Sequence, residues 1–221
     1  MGRSCRLPVL RNGCDAATAL FREYRPEVAA GSKWRGSKLE RGAKVADIGC
    51  GTGYSTFVMA RAFPNSTFVG YDFHEPSIEH ATAHARQSGS AGNVHFGVAK
   101  AKDFPAKDMD LVTCFDVLHD LGDPVGAAAH IHRSLKPDGT WMLMEPLAGD
   151  ATEDNLGPVG RVAYAFSTMA CVPVSLSQEV GMALGAQAGQ AKLTDVIKAG
   201  GFSQVRRVAE TPVNMILEAR H

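Results

Sequence analysis

The segment Val45 to Ser55, VADIGCGTGYS, sets a carboxylate, Asp47, just ahead of three closely spaced glycines, Gly49, Gly51 and Gly53. Glycines let a backbone approach a ligand, and the loop runs into a helical pattern whose N-terminus would ordinarily favour nucleotide phosphates. A pyrophosphate resting there would be repelled by Asp47. A cationic group is favoured instead: at ~4 Å and an effective dielectric of about 20 the attraction is worth roughly 4 kcal/mol before desolvation. The glycines also stand one residue tighter than GxGxxG, with Tyr54 where that pattern has its last glycine. The competing reading is a tight strand-to-helix turn that binds nothing. Elsewhere, His80 and His84 share a helix face at i, i+4, but Glu79 precedes the first. HExxH is therefore absent, a solvated face is the simpler reading, and no metal is expected.

From Leu39 onward the chain alternates strand and helix patterns. Strands are expected at Lys44–Ile48, Phe68–Tyr71, Asn93–Gly97, Asp110–Phe115 and Thr140–Met144, with helices at Tyr54–Phe63, Pro76–Gln87 and Pro124–Leu135 between them. That alternation predicts parallel strands with helical crossovers. A helix at Ala191–Ala199 leads through Gly200-Gly201 to strands at Ser203–Val208 and Val213–Ala219, an antiparallel pair. Residues 146–190 are not required by the sheet, and their apolar set (Tyr164, Phe166, Met169, Cys171, Val172, Pro173, Leu176, Met182) suits either a lid over a binding site or a helical pair packed on the sheet. Residues 1–38 lack sustained periodicity and read as an irregular lead-in, with Ala16–Tyr24 as a short helix covering the sheet edge.

The 221 residues hold 23 Lys and Arg against 23 Asp and Glu, with a pI near 7.1. This excludes the basic footprint that nucleic-acid binding needs. Cys5, Cys14, Cys50, Cys114 and Cys171 have no CxxC spacing, which fits reduced thiols and a cytoplasmic location. No apolar stretch approaches the roughly 18 residues of a membrane span, and the basic N-terminus has no apolar core of a signal peptide, so neither a membrane nor nucleic acid is an expected partner.

The string DxGxGxG after a strand resembles the first motif of class I S-adenosylmethionine-dependent methyltransferases. S-adenosylmethionine carries an ammonium and a sulfonium, which answers the charge of Asp47. The resemblance implies a Rossmann-like, seven-stranded doubly wound α/β sheet in the order 3-2-1-4-5-7-6, its last strand antiparallel. It assigns Asp47, Gly49, Cys50, Gly51 and Gly53 to the cofactor loop. Asp72, ending the second strand, takes the place of the acid that accepts both ribose hydroxyls, although it would also cap the following helix. The segment Asp110-Leu-Val-Thr-Cys-Phe-Asp-Val-Leu-His-Asp-Leu-Gly-Asp123 resembles the fourth motif and the turn after it. Phe115 and Asp116 would then lie beside the methionine moiety, with His119 and Asp120 near the transferred methyl. His119 is the base candidate, against the alternative of a structural hydrogen-bonding residue at a helix start.

One position departs from the family pattern. In Val98-Ala-Lys-Ala-Lys-Asp-Phe-Pro105 the acid that many relatives direct at adenine is Lys100. An ammonium cannot accept from the adenine amino group, so recognition is expected from the backbone at Ala101 and Lys102, from Asp103 if it swings in, and from packing by Phe73. The segments Leu184–Gly189, Thr211–Asn214 and Glu218–Arg220 resemble a bacterial subgroup in which a winged-helix domain precedes the catalytic one. That subgroup implies a small-molecule acceptor and a homodimer made by the missing part; here residues 39–221 read as the catalytic domain alone. Two other functions stay open: a cofactor-binding protein without activity, and an NAD-dependent oxidoreductase, which Asp47 and the glycine spacing disfavour.

Overall fold

The computed structural model describes residues 38–87 and 92–221. The expected helix at Ala16–Tyr24 and two of the cysteines, Cys5 and Cys14, lie outside them. Seven strands, β1 (Lys44–Ile48), β2 (Thr67–Asp72), β3 (Val94–Val98), β4 (Met109–Phe115), β5 (Leu135–Pro146), β6 (Gln204–Glu210) and β7 (Asn214–Arg220), form one sheet in the order 3-2-1-4-5-7-6. Strands β1 to β5 pair in parallel, and β7 runs antiparallel between β5 and β6. The expected topology therefore holds. Among the described residues, the α-helices that follow β1 are α1 (Tyr54–Ala62), α2 (Glu75–Gln87), α3 (Pro124–Ser134), α4 (Pro158–Phe166), α5 (Val172–Leu176) and α6 (Gly189–Ala199).

The sheet is covered on both faces, which is why its central strands are nearly continuous apolar runs. Residues alternate between two cores along each strand. Val112, Cys114, Trp141 and Leu143 face one core with Ile131 of α3 and Ile197 of α6. Leu111, Phe115, Met142 and Met144 face the other with Phe57 of α1. Strand β5 starts five residues earlier than expected because Leu135 pairs with Met109 before the Lys136-Pro-Asp-Gly139 turn, across a register shift between Met109 and Leu111. Helix α3 starts where Asp123 caps it, accepting from the Gly126 amide at 2.8 Å with Pro124 in its first turn.

The sequence expectation about membrane-length segments needs correction. Pro158–Leu176 is a continuous helical run of 19 residues, long and apolar enough to cross a membrane by length and composition alone. Arg161 and scattered small polar residues masked it as a single apolar stretch. In the fold it consists of α4, a π-helical turn at Ser167–Cys171 and α5.

Candidate active site

The strand order reverses between β1 and β4, and a doubly wound sheet leaves its crevice at such a point. The carboxyl ends of β1, β2, β4 and β5 deliver to it the glycine loop, Asp72, Asp116 and Glu145 in turn. In the loop, the amides of Gly49 and Cys50 both donate to the Tyr71 carbonyl, at 2.8 and 3.1 Å. The Gly51 amide donates to Asp72 Oδ2 at 2.9 Å and that of Gly53 to the Cys50 carbonyl at 2.9 Å. Four amides that would cradle a phosphate are thus committed within the protein. The glycine amides are therefore not the groups that would bind a ligand's anion.

The three glycines serve different ends. A Cβ on Gly49 would fall 2.5 Å from Val117, and one on Gly53 would fall 2.5 Å from Phe96, whereas one on Gly51 meets nothing within 4 Å. Gly51, at φ 53°, is therefore the glycine beside open space, and the other two let the loop pack.

Asp47 needs a correction as a direct ligand. It is buried and accepts from Ser55 Oγ at 2.6 Å, Thr56 Oγ1 at 2.7 Å and Thr113 Oγ1 at 2.8 Å. Burial pushes its carboxyl above the usual range, opposed by those three hydroxyls. Its work is to fasten β1, α1 and β4 under the loop, and any effect on a ligand cation acts through space. Cys50 likewise turns inward: its thiol is buried, and burial beside Asp47 and Asp72 pushes it far up. Phe115 is buried in the core with Phe57 and Met144 instead of lining the crevice.

Asp72 retains acceptor capacity. Oδ2 takes the Gly51 amide and Oδ1 takes the His74 amide at 2.9 Å, and a carboxylate with about four lone-pair positions keeps capacity for two hydroxyls. Next to it, a cavity of about 270 Å³ is lined by Phe73, Lys100, Ala101, Lys102 and Leu121, with Gln178 and Glu179 of the insertion. Asp103 does not swing in: its Oδ1 accepts from the Lys100 amide at 3.0 Å, closing its own loop.

The acid–base cluster lies at the ends of β4 and β5. Glu145 is wholly buried and accepts from the Leu118 amide at 2.8 Å and from His119 Nδ1 at 2.6 Å. The other ring nitrogen, Nε2, faces Asp120 Oδ1 at 3.2 Å. Burial alone would lower the imidazole, but the charge of Glu145, the Cys171 thiol and Asp120 outweigh it and hold it well above the ordinary histidine value. His119, Asp120 and Cys171 form the group of three donor side chains found among the described residues, their atoms within 4.8 Å of one another. Asp116 sits at φ 55° and accepts from Asn214 Nδ2 at 3.2 Å. Burial, then the charges of Glu145 and Asp120, push it up to about 7.

The sequence reading missed Glu145, Cys171 and Asn214. Glu145 had a signal: an acid closing the apolar run Trp141-Met-Leu-Met144 at a strand's carboxyl end, as Asp72 closes β2. Cys171 and Asn214 arrive from the insertion and β7, and nothing local marks them. His80 is exposed and His84 packs edge-on against Phe57 at 4.6 Å, away from the crevice.

The insertion is stitched onto the His119–Gly122 turn. Ser175 Oγ donates to the Leu121 carbonyl at 2.8 Å, the Gly122 amide donates to Gln178 Oε1 at 3.1 Å, and the Met182 amide donates to the Gly122 carbonyl at 2.9 Å. Its outer side exposes Val159, Val162, Phe166, Met169 and Leu176.

A family model described as a methyltransferase domain matches residues 39–199. A ubiquinone biosynthesis O-methyltransferase of Thiobacillus denitrificans is 33% identical over 122 residues, covering 54% of this chain and 50% of that protein. The chain thus matches about half the length of this curated relative. Among solved structures, an O-methyltransferase family protein from Burkholderia thailandensis superposes with a TM-score of 0.64 at 19% identity, over 93% of this chain and 58% of that one. PigF with SAH does so with a TM-score of 0.64 at 18% identity, over 92% of this chain and 59% of that one. At such identity the two structures speak to the fold.

Proposed function

The chain belongs to the methyltransferase domain family, in the class that depends on S-adenosylmethionine, and we propose that it methylates a hydroxyl oxygen of a small apolar or aromatic acceptor. The observation that carries this reading is the pair of Glu145 and His119, a buried carboxylate 2.6 Å from Nδ1 of an imidazole whose Nε2 faces Asp120 Oδ1 at 3.2 Å. S-adenosylmethionine supplies a methyl group on a sulfonium, with a neutral sulfide as leaving group. The protein's share is to hold the acceptor in line and take its proton.

In this reading Asp72 accepts from the ribose hydroxyls and the carbonyls of the glycine loop hold the ammonium. Asp116, steadied by Asn214, adds negative charge where the methionine moiety would lie once the pH is above its value of about 7. His119 receives the acceptor's proton at Nε2, while Glu145 fixes the ring by its Nδ1 proton and stabilises the imidazolium that forms. The arrangement makes His119 a stronger base than a free histidine, which suits a hydroxyl group reluctant to ionise. The apolar insertion, anchored to the same turn, supplies a wall for an apolar acceptor. The similarity to an O-methyltransferase of Thiobacillus denitrificans supports oxygen as the acceptor atom.

The test is a panel of phenols, catechols, amines and thiols incubated with S-adenosylmethionine, read by product mass and by S-adenosylhomocysteine released. Methylation of hydroxyl compounds with equimolar S-adenosylhomocysteine is expected. Methylation confined to amines or thiols would overturn the oxygen assignment, and cofactor binding without turnover across the panel would favour a non-catalytic binder.

A further inference from the structure

The cavity beside Asp72 must supply an acceptor for the purine's exocyclic amino group, and the loop position expected to do so holds Lys100. Two acids, Asp123 and Glu179, line that cavity, and a third, Asp103, follows its Lys100–Lys102 wall in sequence. Asp103 is spent on the Lys100 amide. Asp123 is folded back on its own helix: Oδ1 takes the Gly126 amide, and a Cβ placed on Gly126 would lie 2.2 Å from Oδ2 and 2.9 Å from Oδ1. Glu179, from the insertion, is the acid that reaches across the opening, where its Oε2 pairs with Lys102 Nζ.

Its neighbours support that aim. Gln178 uses both ends of its amide to hold the insertion down, donating to the Asp120 carbonyl at 3.0 Å and accepting from the Gly122 amide at 3.1 Å. It is therefore not free to read a base. Immediately after Glu179, Val180 adopts φ 76°, a left-handed conformation costly for a β-branched residue and kept only where the surroundings impose it. Lys102 draws the Glu179 carboxyl below the usual range, so it stays an acceptor.

We propose that Glu179 is the specificity-determining residue for adenine, accepting from its 6-amino group across the cavity with Lys102 as the residue that positions it. This rests on the reading that the site binds S-adenosylmethionine. It makes the insertion part of the cofactor site as well as an acceptor wall, so the two halves of the crevice would order together.

The experiment compares S-adenosylhomocysteine with S-inosylhomocysteine, in which the amino donor is replaced by a carbonyl, by calorimetry on the full chain. The wild type should prefer the adenosyl ligand about ten- to a hundredfold, the range of one charge-assisted hydrogen bond. Glu179→Gln, whose amide can both donate and accept, should bring that preference to within about threefold, and Lys102→Met should reduce it partway. Glu179 is exposed, so the variant should melt with the wild type, and thermal denaturation checks this. A Glu179→Gln protein that keeps the wild-type preference overturns the proposal. A wild type that binds neither nucleoside overturns instead the cofactor reading beneath it.

Discussion

The backbone amide of Gly51 donates to Asp72 Oδ2 at 2.9 Å, joining the glycine loop after β1 to the end of β2 through a single carboxylate. The same group takes the His74 amide, so it orders both walls of the crevice before any ligand arrives. Asp72→Ala should weaken S-adenosylhomocysteine binding by roughly 2 to 3 kcal/mol, through loss of charge-assisted bonds to the ribose and slackening of the loop. Asp72→Asn, which keeps one acceptor oxygen, should fall between. Calorimetric titration decides, and an unchanged dissociation constant in the alanine variant would remove Asp72 from the site.

The glycines should separate binding from folding. Gly51→Ala adds a methyl group into open space at a positive φ, costing about 1 kcal/mol of backbone strain while blocking close approach. It should melt within a few degrees of wild type and lose cofactor affinity about tenfold or more. Gly49→Ala and Gly53→Ala force a Cβ against Val117 and Phe96 and should cost about 1 to 3 kcal/mol of stability. Circular dichroism melts beside titrations would show the reverse pattern if the loop's contacts were misassigned.

Asp116 links the site to stability. Its folded value of about 7 lies above the ~3.9 of an unfolded aspartate. Between about pH 4 and pH 7 the folded state thus keeps a proton that the unfolded state has released, and stability falls as pH rises through that window. Asp116→Asn tolerates the left-handed backbone and removes the titration. It should be more stable than wild type at pH 8 by on the order of 1 to 3 kcal/mol, and nearly equal to it below pH 4. Urea denaturation at both ends is the measurement, and a pH-independent difference would contradict the assignment.

The sheet was legible because its signals are local. Val45–Ile48 and Asp110–Phe115 are apolar runs closed by glycines or acids, and that pattern carries strand position, direction and the switch point. The positions of the glycine loop and Asp72 at the ends of β1 and β2 were legible for the same reason. What the sequence could not convey was which way a polar side chain turns. Asp47 carries the charge that suggested a cation, yet three hydroxyls on α1 and β4 claim it, and that depends on tertiary register between Asp47 and Thr113. Cys171 comes to His119 from 52 residues away through a helix whose sequence shows only apolar bulk. Such meetings are set by packing, which periodicity does not encode.

The pair of His119 and Glu145 makes the sharpest prediction for chemistry. A base must be unprotonated at Nε2, and here burial, which would lower the imidazole, loses to Glu145, Cys171 and Asp120, which raise it well above 6.5. Turnover should therefore rise with pH along a limb displaced to the alkaline side of an ordinary histidine. Glu145→Gln removes the nearest charge and leaves burial opposed only by Cys171 and Asp120, so the limb should move to lower pH. The maximal rate should fall about 10- to 100-fold, because the ring loses its orienting acceptor and the imidazolium its stabilising charge. His119→Ala should abolish the limb and lower turnover about 10²- to 10⁴-fold, with S-adenosylhomocysteine affinity nearly intact, since proton transfer is confined to the transition state. A chelator should leave the wild-type rate unchanged, which separates proton transfer from a cation gripped by His119, Asp120 and Cys171. If Glu145→Gln leaves the limb in place, the carboxylate does not set the basicity of His119. A His119→Ala rate within about threefold of wild type would mean that positioning alone carries the transfer.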